Sequence, residues 1–291
     1  MSSQPSNGTT IRVMAPGDIP FADSVRALAG WNQTIADWQR FLKCEPEGCF
    51  IAQCHGVPAG TATCTCYGSE LGWIGMLLVH PDHRRKGAGS ALLHHCLAYL
   101  QDRGVTCTKL DATPLGRPLY EQLGFMAEFS LTRWEAQAPP AISPTFSEEI
   151  ASCSEADWQR VLALDQRAFG SPRGPMLTAV GQQCCHAVVH GTAQKGGFGY
   201  GMLRKGSCAY YLGPVAADCP AIGTQIVQHL LSRVPNQLVF WDILDPNSVA
   251  TALAQSLGFK PQRRLLRMFR GSNPAKGDPN LQFAIVDPAT G

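Results

Sequence analysis

Apolar and polar positions in the first half predict a strand, a helix and a second strand in direct succession. The run "LGWIGMLLVH", Leu71 to His80, is almost continuously apolar, as in a strand buried on both faces. Between Leu92 and Leu100 the apolar residues recur at helical spacing, which predicts a helix over Gly87–Arg103. The run "VTCTKLDAT" then reads as another strand. This order is typical of a βαβ unit.

The segments around this unit predict further strands and helices. The helical patterns are around Ile19–Ala29, around Thr34–Leu42 and in "PLYEQLG", and the strand patterns are "IRVMAPGD", "CFIAQC", "PAGTATCTCY" and "FSLTRWEA".

The second half repeats this order of patterns. "FGYGMLRKGSCAYYLGPVAA", "AIGTQIVQHLLSRV", "QLVFWDIL" and "LAQSLGFKPQRRLLRMFR" follow one another as their counterparts do, and "SLGF" echoes "QLGF". Similarity at a domain-sized period indicates two tandem copies of one fold. We therefore expect a disordered tail at 1–10, a first domain at 11–136, a Pro-rich linker at 137–146, and a second domain with a C-terminal extension at 147–291.

Composition narrows the class of protein. The 291 residues are 45% apolar with a formal net charge of +2, which favours a buried core and argues against a nucleic-acid partner. No apolar run is long enough to span a membrane, and the first residues do not resemble a secretory signal. We expect a cytoplasmic protein with reduced cysteines. Cys64 and Cys66 face one way in a strand, but no second pair completes a zinc site, so we expect no metal.

The densest positive charge stands where the predicted helix begins. The basic residues 84–86 are followed by Gly87 and Gly89 at the mouth of the helix. A helix N-terminus presents unpaired N–H groups, and glycines let an anion approach the backbone closely. This combination predicts a phosphate site, although neither a Walker loop nor a Rossmann fingerprint is present.

The stretch "LLVHPDHRRKGAGSALL" resembles the acetyl-CoA motif of the GNAT N-acetyltransferases. The matching positions are Val79, Pro81, Arg84, Gly87 and Gly89. A second family signature, Tyr-Glu-x-x-Gly-Phe, is present downstream in "LYEQLGF". The resemblance spans Ile11 to Glu135 and implies an α/β (α+β) fold, with a mixed, mostly antiparallel twisted sheet flanked by helices in each copy. The polar Asn that is common after the fifth strand is replaced by "DATPLGRP".

The resemblance also implies roles for individual residues. Tyr120 would protonate the leaving CoA thiolate, and acetyl-CoA would be the co-substrate. Leu77, Leu78 and Val79 would pair with the pantetheine arm, to which Thr113 would stand close. The CoA pyrophosphate would bind at the turn formed by Arg84, Arg85, Lys86, Gly87, Ala88, Gly89 and Ser90.

The acceptor and the general base are less well defined. Trp31 and Asn32, in the loop between the first two helices, are expected to bind the acceptor together with Asp111. Glu70, His80, Asp111 and a chain of water molecules all stay open as the base.

The second copy lacks the chemical features of the first. It has "AADCPAIG" where the first has "HPDHRRKGAG", and Ala254 where the first has Tyr120. We therefore expect a degenerate second domain that covers the cleft or forms a homodimer contact. The function predicted is transfer of acetyl to a primary amine of a small molecule by direct attack in a ternary complex. An aminoglycoside or other antibiotic acceptor, a protein lysine and a non-catalytic acyl-CoA-binding module are the alternatives.

Overall fold

The computed structural model describes residues 8–139, 149–191, 197–274 and 276–291. Residues 1–7 of the expected tail at 1–10, and most of the expected linker at 137–146, lie outside these residues. The expectation of a tail is wrong for Thr9 and Thr10, which belong to the first strand. The described elements of the first half are, in order, β1 (Thr9–Val13), α1 (Ile19–Leu28), α2 (Ile35–Cys44), β2 (Cys49–Cys54), β3 (Val57–Tyr67), β4 (Leu71–Val79), α3 (Ala88–Asp102), β5 (Cys107–Ala112), α4 (Arg117–Gln122) and β6 (Met126–Gln137).

The second half follows the same order of elements. They are β7 (Ile150–Ser152), α5 (Trp158–Phe169), α6 (Gly174–Gln183), β8 (His186–His190), β9 (Gly199–Lys205), β10 (Tyr210–Ala217), α7 (Pro220–Ser232), β11 (Leu238–Leu244), α8 (Ser248–Ser256), β12 (Lys260–Gly271) and β13 (Gln282–Ala284).

The strands of both halves form one continuous sheet. Its order is β1-β2-β3-β4-β5-β12-β6-β11-β10-β9-β8-β7, and β13 pairs with β10 off this path. The pairs β4/β5 and β10/β11 are parallel, and the other pairs are antiparallel. The predicted architecture, a mixed and mostly antiparallel sheet with a βαβ unit in each copy, is confirmed.

The closing strands of the two halves are exchanged. Strand β12 of the second half pairs with β5 of the first, and β6 of the first half pairs with β11 of the second. The two exchanged strands also pair with each other, with Leu131 opposite Leu265. Side-chain alternation specifies which face of a strand is buried but not which neighbour it pairs with, so the sequence pattern alone could not show this exchange.

Two reciprocal ion pairs hold the exchanged strands. Arg133 on β6 donates from Nε and Nη2 to the Asp242 carboxylate on β11, at 2.8 and 2.6 Å. Arg267 on β12 donates in the same way to Asp111 on β5, at 2.8 and 2.9 Å. All four side chains are at most 4% exposed. The two arginines stand at the same distance after "QLGF" and "SLGF", so they are counterparts in the repeat.

The helices cover the two faces of the sheet differently. Helices α1, α2, α5 and α6 share one apolar core with Trp73 of β4 and with Val286 and Ala289 of the C-terminal segment. Helix α3 packs on the opposite face of the first half, in a core that includes Met268 of β12. Helix α7 packs in a separate core of the second half. The face that carries α1 and α2 is therefore shared by residues from both halves.

Removal of Arg267 should destabilise the protein strongly. Arg267→Met leaves the buried Asp111 carboxylate without its cation, which costs about 3–5 kcal/mol for a buried pair. Asp111→Asn combined with Arg267→Met removes the stranded charge, and the free energy of unfolding should partly recover. Denaturant unfolding followed by circular dichroism measures both changes.

Arg264→Gln is the matched control for this experiment. Arg264 lies three residues before Arg267 on the same strand. Its side chain is 70% exposed, so we expect little change in stability. A single variant as stable as the wild type, or a double variant no better than the single one, would contradict a structural role for the pair.

Candidate active site

A gap opens between the two parallel strands of the first half. Strands β4 and β5 pair only over Leu71–Trp73 and Cys107–Lys109. Beyond this point β4 carries a bulge, where Met76 adopts a positive φ of 47° and Thr61 Oγ1 donates a 2.7 Å hydrogen bond to the Met76 carbonyl. A bulge bends a strand and ends regular pairing. The unpaired edges of β4 and β5 therefore face each other across the gap.

A cavity of about 760 Å³ occupies this gap. A volume of this size is ordinary for a small-molecule or cofactor site. Strand β4 contributes residues 74–79, which include the expected Leu77, Leu78 and Val79, and the end of β5 contributes Leu110 and Asp111. The second half contributes Arg263 and Leu265 of β12, together with Pro288 and Ala289.

Residues 84–90, which we call the anion turn, contribute to one part of the cavity wall. Arg85 and Gly87 both have positive φ values, 60° and 87°, and α3 begins at Ala88. Residues with positive φ just before a helix turn successive N–H groups to the same side. These N–H groups form an anion-binding concavity. A Cβ placed on Gly87 would meet nothing within 4 Å, so open space adjoins the backbone there. The turn therefore has the geometry of an anion-binding site.

Some side chains of the turn line the cavity, and others hydrogen-bond to the backbone of the loop. Arg84 and Arg85 line it, together with Gly89 and Ser90. Lys86 instead donates a 2.7 Å hydrogen bond to the Asp82 carbonyl. Arg84 Nε also donates to the Val79 carbonyl at 3.2 Å, which fixes the turn to the end of β4.

Tyr120 lies on α4 with its side chain at the cavity. The residue is 8% exposed, lines the cavity and packs edge-on against Phe125. Burial raises the pKa of its phenol to about 12, so the hydroxyl stays protonated at neutral pH. Thr113 also lines the cavity, and its hydroxyl accepts a hydrogen bond from the Gly116 amide at the start of α4. A proton donor therefore stands in the same space as the anion turn.

Of the residues expected to bind the acceptor, Trp31 and Asp111 line the cavity and Asn32 does not. Trp31 lines the cavity, and so does its neighbour Gln33. Asn32 does not line it: its Oδ1 accepts hydrogen bonds from the Cys208 and Ala209 amides, and its Nδ2 donates to the Ala209 carbonyl. The expectation that Asn32 is a polar handle for the acceptor therefore needs correction, because the amide instead fastens the α1–α2 loop to the second half.

Asp111 is a lining residue whose carboxylate is already paired. Its side chain has no exposed surface and receives both hydrogen bonds of Arg267. Burial raises the pKa of this carboxyl, and the Arg267 guanidinium opposes the rise. Glu70 and His80, the other residues considered as a base, are not in the cavity lining. Within the described residues, the lining holds no unpaired carboxylate and no imidazole.

The C-terminal segment 285–291 forms a wall that the sequence patterns do not indicate. Tyr67 Oη donates to the Thr290 carbonyl at 2.8 Å, and Trp73 Nε1 donates to the Pro288 carbonyl at 3.2 Å. A Cβ on Gly75 would lie 2.3 Å from the Ala289 carbonyl oxygen. A glycine at this position of β4 is therefore what lets the segment approach the cavity so closely.

The equivalent gap in the second half is filled by the chain itself. Strand β13 pairs with β10 at Val215 and Ala216, and Trp241 Nε1 on β11 donates to the Phe283 carbonyl at 2.7 Å. A Cβ on Gly223, in the first turn of α7, would lie 2.3 Å from the Phe283 ring. Helix α7 also begins with Pro220, which has no N–H to offer an anion.

Comparison with known proteins agrees with this geometry. Residues 21–125 match the acetyltransferase (GNAT) family, and residues 161–284 match the acetyltransferase (GNAT) domain. The chain therefore belongs to the GNAT family and carries two GNAT domains in tandem. Membership of this family places it among the acyltransferases.

Individual relatives are distant. The uncharacterized N-acetyltransferase YitH of Bacillus subtilis is 26% identical over 54% of this chain, and the match spans 55% of its own length. The holothin acyltransferase of a Pseudoalteromonas species is 23% identical, with 88% of this chain and 85% of that protein covered.

Solved structures show the same fold over the whole chain. A putative acetyltransferase from Pyrococcus horikoshii has a TM-score of 0.85 at 22% identity, with 100% of this chain and 99% of that chain covered. A tandem GNAT protein from the clavulanic acid biosynthesis pathway has a TM-score of 0.67 at 17% identity, with 92% and 100% covered.

The described residues show neither a metal site nor a membrane-spanning helix. In the described ranges, no cluster of His, Cys, Asp and Glu side chains could hold a metal ion. No helix among the described residues is both long and apolar enough to cross a membrane.

Acetyl-CoA should bind at one site per chain, because β13 and Phe283 fill the second gap. Isothermal titration calorimetry should give a stoichiometry of one. Gly87→Val should weaken acetyl-CoA binding by about tenfold or more, equivalent to about 1.4 kcal/mol, because a side chain at this left-handed position displaces the turn.

Gly104→Val is the matched control for that substitution. Gly104 has a φ of 74° and also adjoins open space, but it lies at the far end of α3. Backbone strain should therefore be similar and the Kd unchanged. Two equivalent sites, or an unchanged Kd in Gly87→Val, would contradict the assignment.

Proposed function

We propose that this chain transfers an acetyl group from acetyl-CoA to a primary amine of a small molecule, by direct attack within a ternary complex. The observation that carries the proposal is one cavity that joins the anion turn, the β4/β5 gap and the protonated Tyr120 phenol. Acetyl-CoA would supply the reactive thioester when bound. The chain's own residues would hold it, polarise it and supply a proton.

The turn and strand β4 would hold the co-substrate. Main-chain N–H groups at residues 85–90, with the charges of Arg84 and Arg85, would bind the pyrophosphate. Free N–H groups of Leu77, Leu78 or Val79 at the edge of β4 would pair with the pantetheine arm, as in the addition of a strand to a sheet edge. An amide directed at the thioester oxygen would stabilise the negative charge that develops there.

Tyr120 would act as the general acid of the reaction. The amine nitrogen bonds to the acetyl carbon as the carbon–sulfur bond breaks, and Tyr120 donates its proton to the departing thiolate. The amine must lose a proton as well. Since the described lining holds no unpaired carboxylate or imidazole, we propose that water carries this proton away.

The walls of the cavity favour a small acceptor. Residues from β12 and from segment 285–291 enclose the space beside β4, which leaves less room for an extended polypeptide than an uncovered strand edge would. The charged lining residues are Arg84, Arg85, Arg263 and the paired Asp111. A polycationic aminoglycoside would need acidic groups that this lining does not offer.

Tyr120→Phe should keep the affinity for acetyl-CoA and lower kcat. General acid catalysis contributes about 10²–10⁴-fold to a rate, so kcat should fall by up to that factor. Release of CoA across a panel of amines measures it. Tyr210→Phe, a partly buried tyrosine on β10, is the control and should leave kcat unchanged. Wild-type turnover in Tyr120→Phe would make Tyr120 a packing residue.

The pH dependence should follow the acceptor and not the protein. Burial raises the pKa of Tyr120 to about 12, so the phenol remains an acid up to about pH 10 and causes no loss of rate there. With water as the proton carrier, kcat/KM should rise towards the pKa of each amine used. Two amines of different pKa should therefore give two different profiles, whereas one shared rise would indicate a base on the protein.

A further inference from the structure

Arg263 is a half-buried cation at the cavity that lacks a carboxylate partner. It lines the cavity, and its Nε is buried without a hydrogen-bond partner among the described residues. No ion pair within the described ranges includes it. Burying an unpaired charge is costly, so such a group in a binding site points to a charge supplied by the ligand.

Four buried arginines, in contrast, have carboxylate partners. Arg267 pairs with Asp111, and Arg133 pairs with Asp242. Arg40 and Arg204 face the Asp37 and Asp287 carboxylates, at distances of 2.5 to 3.5 Å.

The carboxylate that attracts Arg263 electrostatically, Asp242, already has other partners. Asp242 accepts both hydrogen bonds of Arg133 and a third from Tyr211 Oη at 2.8 Å. Arg133 is itself the direct cross-strand neighbour of Arg263. Burial and the Arg133 charge lower the pKa of Arg263 to about 10, which leaves the guanidinium charged at neutral pH.

Strand register places Arg263 on the face of the sheet that carries α1 and α2, where the expected acceptor residue Trp31 also lies. Residues 263, 265 and 267 share one face of β12, because the pairing with β6 is regular from Arg263 to Arg267. Arg267 on that face stacks on Trp73, which belongs to the core of α1 and α2. Met268 points to the opposite face, which is covered by α3 and its anion turn. Arg263 is therefore not one of the cations of the pyrophosphate site.

A second unpaired polar atom lies in the same lining. Gln33 Oε1 is buried and has no hydrogen-bond partner among the described residues. This oxygen can accept a hydrogen bond from an N–H group. The cavity lining thus includes one guanidinium without a carboxylate partner beyond the anion turn, and one amide with an unpaired oxygen.

We infer that the acceptor is an amine that also carries a carboxylate, and that the guanidinium of Arg263 binds this carboxylate. The inference rests on the proposed function for the amine and names the class of substrate for it. A guanidinium can bind a carboxylate with two parallel hydrogen bonds, which orients the acceptor as well as neutralising the charge.

Matched pairs of amines test the inference by CoA release. Glycine, β-alanine, 4-aminobutyrate and 6-aminohexanoate are each compared with the corresponding amide, so that the distance between amine and carboxylate varies. At least one acid should exceed its amide in kcat/KM by about tenfold or more. Arg263→Gln should remove this preference, and Arg263→Lys should keep part of it.

Binding of the products tests the carboxylate site without turnover. The N-acetyl derivatives of the same acids and amides are titrated into the full chain saturated with CoA. They carry no titratable amine, so differences in amine pKa do not enter. The acid should bind about tenfold or more tightly than its amide, and this difference should disappear in Arg263→Gln.

Arg264→Gln is the control, because Arg264 is adjacent in sequence, 70% exposed and paired with Asp245. It should retain the preference for the acid. The melting temperature of Arg263→Gln should not fall, since the substitution removes an unpaired, half-buried charge.

Equal binding of acids and amides, no binding of either, or a preference that survives Arg263→Gln would overturn the inference. Transfer to neutral amines without any preference would overturn it while leaving the proposed function standing. Absence of transfer to every amine, with the binding preference intact, would instead refute the proposed function.

Discussion

The reciprocal exchange of β6 and β12 joins the two halves of the chain. Each strand leaves its own half and forms one bidentate pair of hydrogen bonds to an aspartate of the other, Arg133 to Asp242 and Arg267 to Asp111. Both buried ion pairs therefore join one half of the chain to the other. The two GNAT domains share one continuous sheet, although the sequence pattern shows two copies.

The same exchange gives the gaps of the two copies different surroundings. It brings β12 to the cavity of the first half, where Arg263 and Leu265 become part of the wall. The chain after β12 then runs back through both gaps: β13 fills the one beside β10, and Pro288 and Ala289 line the one beside β4. One segment thus blocks the second site and helps to shape the first. Loss of the basic turn in the second copy is consistent with a gap that no longer admits a ligand.

Local features of the site could be predicted from the sequence, and long-range features could not. The buried strand, the glycine turn and Tyr120 lie within one βαβ region, where the order of patterns determines what is adjacent. The contacts of Asn32 could not be predicted, because its partners lie in the β9–β10 turn, far along the chain. The places of Arg263 and Ala289 in the cavity wall could not be predicted for the same reason. The equal spacing of Arg133 and Arg267 after the Gly-Phe turns was a signal for the ion pairs, but not for which strand each arginine would meet.

A crystal structure of the chain with CoA and an N-acetyl amino acid would test the central claim, one active site built by both halves, most directly. We expect one CoA per chain between β4 and β5, with its pyrophosphate at residues 85–90 and the carboxylate of the product against Arg263. Strand β13 should stay paired with β10. A CoA between β10 and β11 with β13 displaced, or a product that contacts only residues of the first half, would contradict the account.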